Sequence, residues 1–74
     1  MTPLPRELPL APYQKRLVQL VCEEGLRYRE VGARLRMNPN VVKVYMSGVH
    51  KALDTHSLNE LTARYWMRKI EFDL

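Results

Sequence analysis

Residues 28–53 read YREVGARLRMNPNVVKVYMSGVHKAL and carry two amphipathic segments with a break between them at residues 37–39. The first segment places four residues on one helical face, at i, i+3, i+4 and i+7: Tyr28, Val31, Gly32 and Leu35. Asn38 is a good N-cap and Pro39 a good first helical residue, so a helix is predicted to begin there and to reach about Leu53. Two helices joined by so short a break predict a helix-turn-helix.

The helix predicted after the break has two distinct faces. Four apolar residues at i, i+4, i+7 and i+11 form an inward stripe: Val42, Met46, Val49 and Leu53. Tyr45 flanks this stripe, and the outer face carries Asn40, Lys43, Val44, Ser47, His50 and Lys51. No acidic residue lies on the outer face before Asp54. An apolar back with a basic, hydrogen-bonding front is what a helix needs to read the major groove of DNA.

The segments on the N-terminal side predict two more features of the helical framework. A first helix is expected from Pro12 to Glu24, with Gly25 placed to end it in a left-handed conformation. A second helix is expected over residues 28–36, and Gly32 on its inward side predicts a close helix–helix approach.

The C-terminal segment predicts a fourth helix that begins at Leu58 and ends at about Ile70 or Glu71. Ser57 and Glu60 fit a capping box, in which the hydroxyl accepts from an early amide and the carboxylate reaches back. The helix carries more apolar residues than one core-facing stripe requires: Leu58, Leu61, Tyr65, Trp66, Met67, Ile70 and Phe72. Exposed aromatic and aliphatic residues favour an interface, so Trp66, Met67 and Ile70 are interpreted as a homodimer seam. A C-terminal tail folded over the same surface is the alternative.

Length and composition fit one small domain. A chain of 74 residues with 46% apolar residues is near the lower limit for a single hydrophobic core. Residues 1–9 hold three of the five prolines and are interpreted as an extended arm, with residues 10–74 as the helix-turn-helix domain. The expected fold class is all-α, a four-helix bundle that contains a helix-turn-helix.

The positive charge of the chain is concentrated in its centre. The net charge is +4, yet residues 27–51 alone carry +5, because Glu30 is the one acid against six basic residues: Arg27, Arg29, Arg34, Arg36, Lys43 and Lys51. Such a block is the expected footprint of a polyanion such as double-stranded DNA.

Several classes of function are disfavoured by what the sequence lacks. It has no apolar run that could span a membrane and no secretory signal. Cys22 stands alone with two distant histidines, so neither an internal disulfide nor a zinc site is expected, and the cysteine is predicted to be buried. There is no glycine-rich phosphate loop and no paired carboxylates on a shared face. The expectation is a cytoplasmic protein that is not an enzyme and uses no cofactor or metal.

The stretch from Leu10 to about Arg68 resembles the LuxR/GerE (NarL-type) DNA-binding domain of bacterial transcription regulators. The matching segments are LAP at 10–12, EGL at 24–26, REVGARL at 29–35, VKVY at 42–45, KAL at 51–53 and NEL at 59–61. The resemblance implies four helices in a winged-helix-like effector domain, with the third as recognition helix and the fourth as dimer contact. It also implies that Val41, Lys43, Val44 and Ser47 face DNA, with Lys51 near the backbone. Arg36 stands where the family has a turn glycine.

The complete set of predicted DNA contacts is Asn40, Val41, Lys43, Val44, Ser47, Lys51, Arg27, Arg34 and Arg36. Lys43 is expected to make the principal base-edge or phosphate contact, Val44 an apolar contact to a base, and Asn40 and Ser47 hydrogen bonds. The arginines and Lys51 are expected at the DNA backbone. Free amides near Asn40 and Val41, at the start of the helix, are expected to bind a phosphate.

Two alternative functions stay open at this point. GLRYRE at 25–30 and HKAL at 50–53, together with the long first helix, also resemble sigma-factor region 4, a domain that binds promoter −35 elements and RNA polymerase. A protein-interaction module is the other alternative: the fourth helix would bind and block a full-length regulator or a polymerase subunit. Only DNA binding requires the outer face of the third helix.

Overall fold

The computed structural model describes residues 2–73, which form four α-helices and no strand. The helices are α1 (Pro12–Cys22), α2 (Tyr28–Leu35), α3 (Pro39–Leu53) and α4 (Leu58–Asp73). The prediction of an all-α fold with four helices is confirmed. The predicted bounds of α3 are also confirmed, whereas α4 extends two residues past the predicted end at Glu71.

α1 ends at Cys22, two residues before the predicted end at Glu24. Gly25 adopts the left-handed conformation with φ 66°, as predicted. The amide of Leu26 then donates to the carbonyl of Leu20 at 3.2 Å, which closes the helix end. The two residues after Cys22 therefore belong to the closing turn rather than to the helix.

The connection between α2 and α3 is a tight turn built around Gly32. The amide of Met37 donates to the carbonyl of Gly32 at 2.7 Å, and Arg36 between them is left-handed with φ 58°. A Cβ atom added to Gly32 would collide with the carbonyl oxygen of Met37. A close approach at Gly32 was predicted, and the structure shows that its partner is the turn backbone rather than another helix.

The core is formed by buried side chains from the N-terminal segment and all four helices. The predicted inward stripe of α3 is confirmed, because Val42, Met46, Val49 and Leu53 are all buried. Cys22 is buried as predicted, and this burial raises the pKa of its thiol to about 11, although the Thr62 hydroxyl at 3.8 Å opposes the shift.

The segment before α1 is attached to the helical body. It has no regular secondary structure over residues 2–11, yet Leu4 is only 1% exposed and belongs to the core. Arg68 of α4 donates to the carbonyls of Pro5 and Arg6 at 2.9 and 2.7 Å, and Arg64 donates to that of Thr2 at 3.2 Å. Residues 2–6 are therefore held against α4 by these bonds. Met1, the first residue of the predicted arm, lies outside the described residues.

The start of α4 shows half of the predicted capping box. The hydroxyl of Ser57 accepts from the amide of Glu60 at 3.1 Å, as predicted. The carboxylate of Glu60 lies 3.7 Å from the guanidinium of Arg64, its neighbour one turn along the helix. The Glu60 carboxylate, which was expected to reach back to the start of the helix, is therefore positioned beside the Arg64 guanidinium.

Candidate nucleic-acid interface

One side of α3 exposes every predicted DNA-contacting side chain of that helix. The side chains of Asn40, Val41, Lys43, Val44, Ser47 and Lys51 are all exposed. Val44 is the most open of the apolar ones, with 67% of its surface accessible. This exposure follows from the inward stripe, because a helix that buries Val42 and Met46 must turn its opposite face to solvent.

The backbone amides at the start of α3 are already bonded within the protein. The side-chain oxygen of Asn38 accepts from the amide of Asn40 at 2.8 Å, which confirms Asn38 as N-cap. The carbonyl of Asn38 accepts from the amides of Val41 and Val42 at 2.9 and 3.1 Å. The expectation that free amides near Asn40 and Val41 bind a phosphate is therefore wrong. Any contact made by Asn40 or Val41 must use its side chain.

His50 links the end of α3 to the following loop. Its Nδ1 lies 2.7 Å from the hydroxyl oxygen of Thr55, and the amide of Thr55 donates to the carbonyl of His50 at 3.0 Å. Thr55 is buried and His50 is half-buried. The side chain that the sequence placed on the open outer face is thus partly used to fix the C-terminal end of α3.

A shallow groove runs beside the outer face of α3, and we refer to it as the α3 groove. It is lined by Tyr28, Lys43, Ser47, His50, Lys51, Asp54, Thr55 and His56. Sequence reasoning missed Tyr28 and His56 as members of this surface. Tyr28 was assigned to the core-facing side of α2, and it is indeed half-buried and packed against the core. A tyrosine can bury its ring while its hydroxyl reaches solvent. This property was the signal in the sequence that could have assigned Tyr28 to the α3 groove.

The three arginines predicted at the DNA backbone have different surroundings. Arg27 is exposed immediately before α2, and its amide donates to the carboxylate of Glu30 at 3.0 Å. Arg36 is exposed just after the C-terminal end of α2, where its backbone adopts the left-handed conformation. Arg34 instead forms a solvent-exposed ion pair with Glu24 at 3.3 Å, near the end of α1. Arg27 and Arg36 are therefore the arginines of this set whose guanidinium groups form no ion pair with the side chains of residues 2–72.

The flank of α3 that faces α1 is aromatic and apolar. The ring of Tyr45 lies 5.5 Å from that of Tyr13, measured between centroids, and both residues line a small pocket with Leu17, Leu35 and Met37. A Cβ atom added to Gly48 would lie 3.8 Å from the Gln14 side chain of α1. The missing side chain of Gly48 would therefore point toward α1 and not toward the outer face of α3.

The predicted homodimer seam on α4 is partly exposed. Trp66 is 40% exposed and Ile70 61% exposed, whereas Met67 is half-buried. Trp66 is oriented by its indole N–H, which donates to the carbonyl of Cys22 at 3.0 Å. The helix continues to Asp73, so the chain does not fold back over this surface within residues 2–73.

No protein-family model, curated protein or solved structure matches this chain. The resemblance to the LuxR/GerE domain therefore rests on the residues quoted above and stays a prediction. Residues 2–72 contain no cluster of three or more histidine, cysteine, aspartate or glutamate side chains placed to hold a metal ion. Within the same range, no helix has both the length and the apolar character needed to cross a membrane.

Proposed function

We propose that this chain is a helix-turn-helix domain of a transcription regulator, without enzymatic activity, that binds double-stranded DNA by placing α3 in the major groove. The observation that carries the proposal is the outer face of α3, where Asn40, Lys43, Val44, Ser47 and Lys51 are exposed together. No acidic residue stands between Glu30 and Asp54 in the sequence. A polyanion therefore meets only neutral and cationic side chains on this face from Asn40 to Lys51, and a negative charge only at Asp54, just after the last residue of the helix.

The chemistry of the exposed residues fits the edges of base pairs and the phosphates beside them. Lys43 and Lys51 carry the positive charge that guanine edges and phosphates attract, and Ser47 supplies a small hydroxyl that permits close approach. Val44 presents an aliphatic surface suited to a thymine methyl group. α3 has 15 residues, so its length is about 22 Å, and an α-helix fits the width of the major groove.

The turn before α3 supports the proposal by fixing the direction of the helix. α2 and α3 share the most extensive helix–helix contact of the fold, and the bond from Met37 to Gly32 locks the turn. Arg27 and Arg36 are two further exposed cations, at the two ends of α2. A rigid recognition helix with cations beside it can be held in one register by the DNA backbone.

Selection from a pool of random DNA duplexes tests whether this binding is sequence-specific. The full chain is expected to enrich a defined motif, because Val44 and Asn40 are proposed to contact base edges rather than phosphates. Substituting Val44→Ala should relax the preference at one position while overall binding is retained. A pool that stays unenriched after several rounds would show that the chain does not read sequence.

The proposed assembly is a homodimer formed through the exposed side of α4. Trp66 and Ile70 lie one turn apart and leave apolar surface open to solvent. Ile70→Glu is expected to convert the dimer to a monomer in sedimentation velocity experiments without DNA, because a buried carboxylate at the seam would have no partner. Val44→Glu is the matched control, since it places the same charge at an equally exposed aliphatic position of α3. A wild-type chain that is monomeric at high concentration would contradict the proposed dimer. The same oligomeric state for Ile70→Glu and Val44→Glu would contradict the placement of the dimer contact on α4.

A further inference from the structure

The α3 groove brings together side chains from three parts of the chain. Lys43, Ser47, His50, Lys51 and Asp54 follow one another along α3 and its C-terminal end at helical spacing. This stripe extends over about 16 Å, at 1.5 Å for each helical residue. Tyr28 closes the groove from the start of α2, and His56 closes it from the loop before α4. Residues that are distant in sequence therefore line the same α3 groove.

Most of the groove lining can donate hydrogen bonds to an anion. Lys43 and Lys51 contribute ammonium groups, Ser47 a hydroxyl and His56 an imidazole, and all four side chains are exposed. The Tyr28 hydroxyl is a protonated donor at neutral pH, as an ordinary tyrosine is, and burial raises its pKa further. In the part of the chain that the structure describes, Asp54 is the one carboxylate that lines the groove.

We propose that the α3 groove holds the sugar-phosphate backbone of one DNA strand, with the Tyr28 hydroxyl and the His56 imidazole as phosphate contacts beside Lys43 and Lys51. The inference rests on the proposed DNA binding and adds two contacts from outside α3. Hydroxyl, imidazole and ammonium donors that converge from different elements suit a tetrahedral anion, and backbone contacts of this kind fix the position of a protein on the duplex. Val44 and Asn40 are left to face the base edges.

The position of Asp54 gives the proposal an unusual consequence. A phosphate in the groove is repelled by this carboxylate, so removing the charge should strengthen DNA binding. Asp54 is left-handed with φ 53°, a conformation that asparagine also adopts readily. Asp54→Asn therefore removes the charge with little expected change in fold.

The test measures binding of the full chain to fluorescent fragments of mixed genomic duplex DNA by anisotropy over a series of salt concentrations. Asp54→Asn is expected to raise the affinity about threefold, since one repulsive charge is lost. Tyr28→Phe is expected to lower it about fivefold with an unchanged salt dependence, because a neutral hydrogen bond is lost and no counterion is involved. A merely structural role for Asp54 would not produce tighter binding.

Matched controls separate these effects from general changes in charge or packing. Tyr13→Phe removes a hydroxyl from an exposed tyrosine of α1, and Glu71→Gln removes a carboxylate from the exposed side of α4. Both are expected to leave the affinity within twofold of wild type. If the wild-type chain binds DNA while Tyr28→Phe and Asp54→Asn match their controls, the groove assignment is wrong and the proposed function stands. If the wild-type chain does not bind DNA at low salt, the proposed function itself fails.

Discussion

Gly32→Val is expected to lower the free energy of unfolding by about 3 kcal/mol, because the added side chain has no room at the α2–α3 turn. The Cβ atom alone would collide with the carbonyl oxygen of Met37, and the backbone nitrogen of Pro39 lies 3.5 Å from the same point. These are backbone atoms of a turn held by the bond from Met37 to Gly32, so they cannot move aside cheaply. The loss is a large part of the stability of a domain this small.

The measurement is thermal and urea unfolding of the variant followed by circular dichroism. A loss of this size corresponds to a fall in Tm of about 12 °C or more. Gly48→Val is the control: its Cβ atom would be 3.8 Å from the flexible end of Gln14, which is ordinary contact, and its stability should change by less than about 1 kcal/mol. Equal stability of the two variants would contradict the packing described for Gly32.

Replacing Lys43 and Lys51 together with alanine is expected to weaken binding to duplex DNA about 60-fold at 0.1 M salt. Each lysine that neutralises a phosphate contributes a slope of about 0.9 to the log–log dependence of affinity on salt, so two contacts contribute nearly two decades at this salt concentration. Both lysines are exposed and lie on the outer face of α3. Anisotropy titrations at fixed salt measure the change.

Lys15→Ala combined with Arg16→Ala provides a control with the same loss of charge. These exposed residues of α1 line a different groove, next to the N-terminal segment and Arg68 of α4. Their removal changes the net charge equally but takes no cation from α3, so affinity is expected to fall less than threefold. If the two double variants lose the same affinity, binding reflects overall charge, and α3 has no special role.

The helices and the orientation of α3 were predictable because they depend on local signals. Asn38 and Pro39 specify the start of α3, and the spacing of its apolar residues specifies which side is buried. Gly25 likewise marked the closing turn of α1, although the turn takes up two residues that were assigned to the helix. Signals carried by neighbouring residues, or by residues a few turns apart, can be interpreted without knowledge of the tertiary structure.

Features that depend on distant residues were not predictable in the same way. Leu4 lies among prolines and has no helical periodicity, yet it is buried because the carbonyls beside it accept bonds from Arg64 and Arg68. The α3 groove is a similar case, because Tyr28 and His56 meet the outer face of α3 only after the chain has folded. The amides of Asn40 and Val41 were expected to be free because the bonds they donate to the side-chain oxygen and the main-chain carbonyl of Asn38 were not counted.

The most direct test of DNA binding by α3 is the salt dependence of affinity for mixed genomic duplex DNA, compared between the wild-type chain and Lys43→Ala. The prediction is that the wild-type chain binds at low salt and that the log–log slope becomes shallower by about one unit in the variant, since one phosphate contact is lost. Identical slopes would contradict a phosphate contact at Lys43. Absence of binding by either protein at low salt, together with association of the chain with itself or with another regulator, would replace DNA binding with protein interaction as its function.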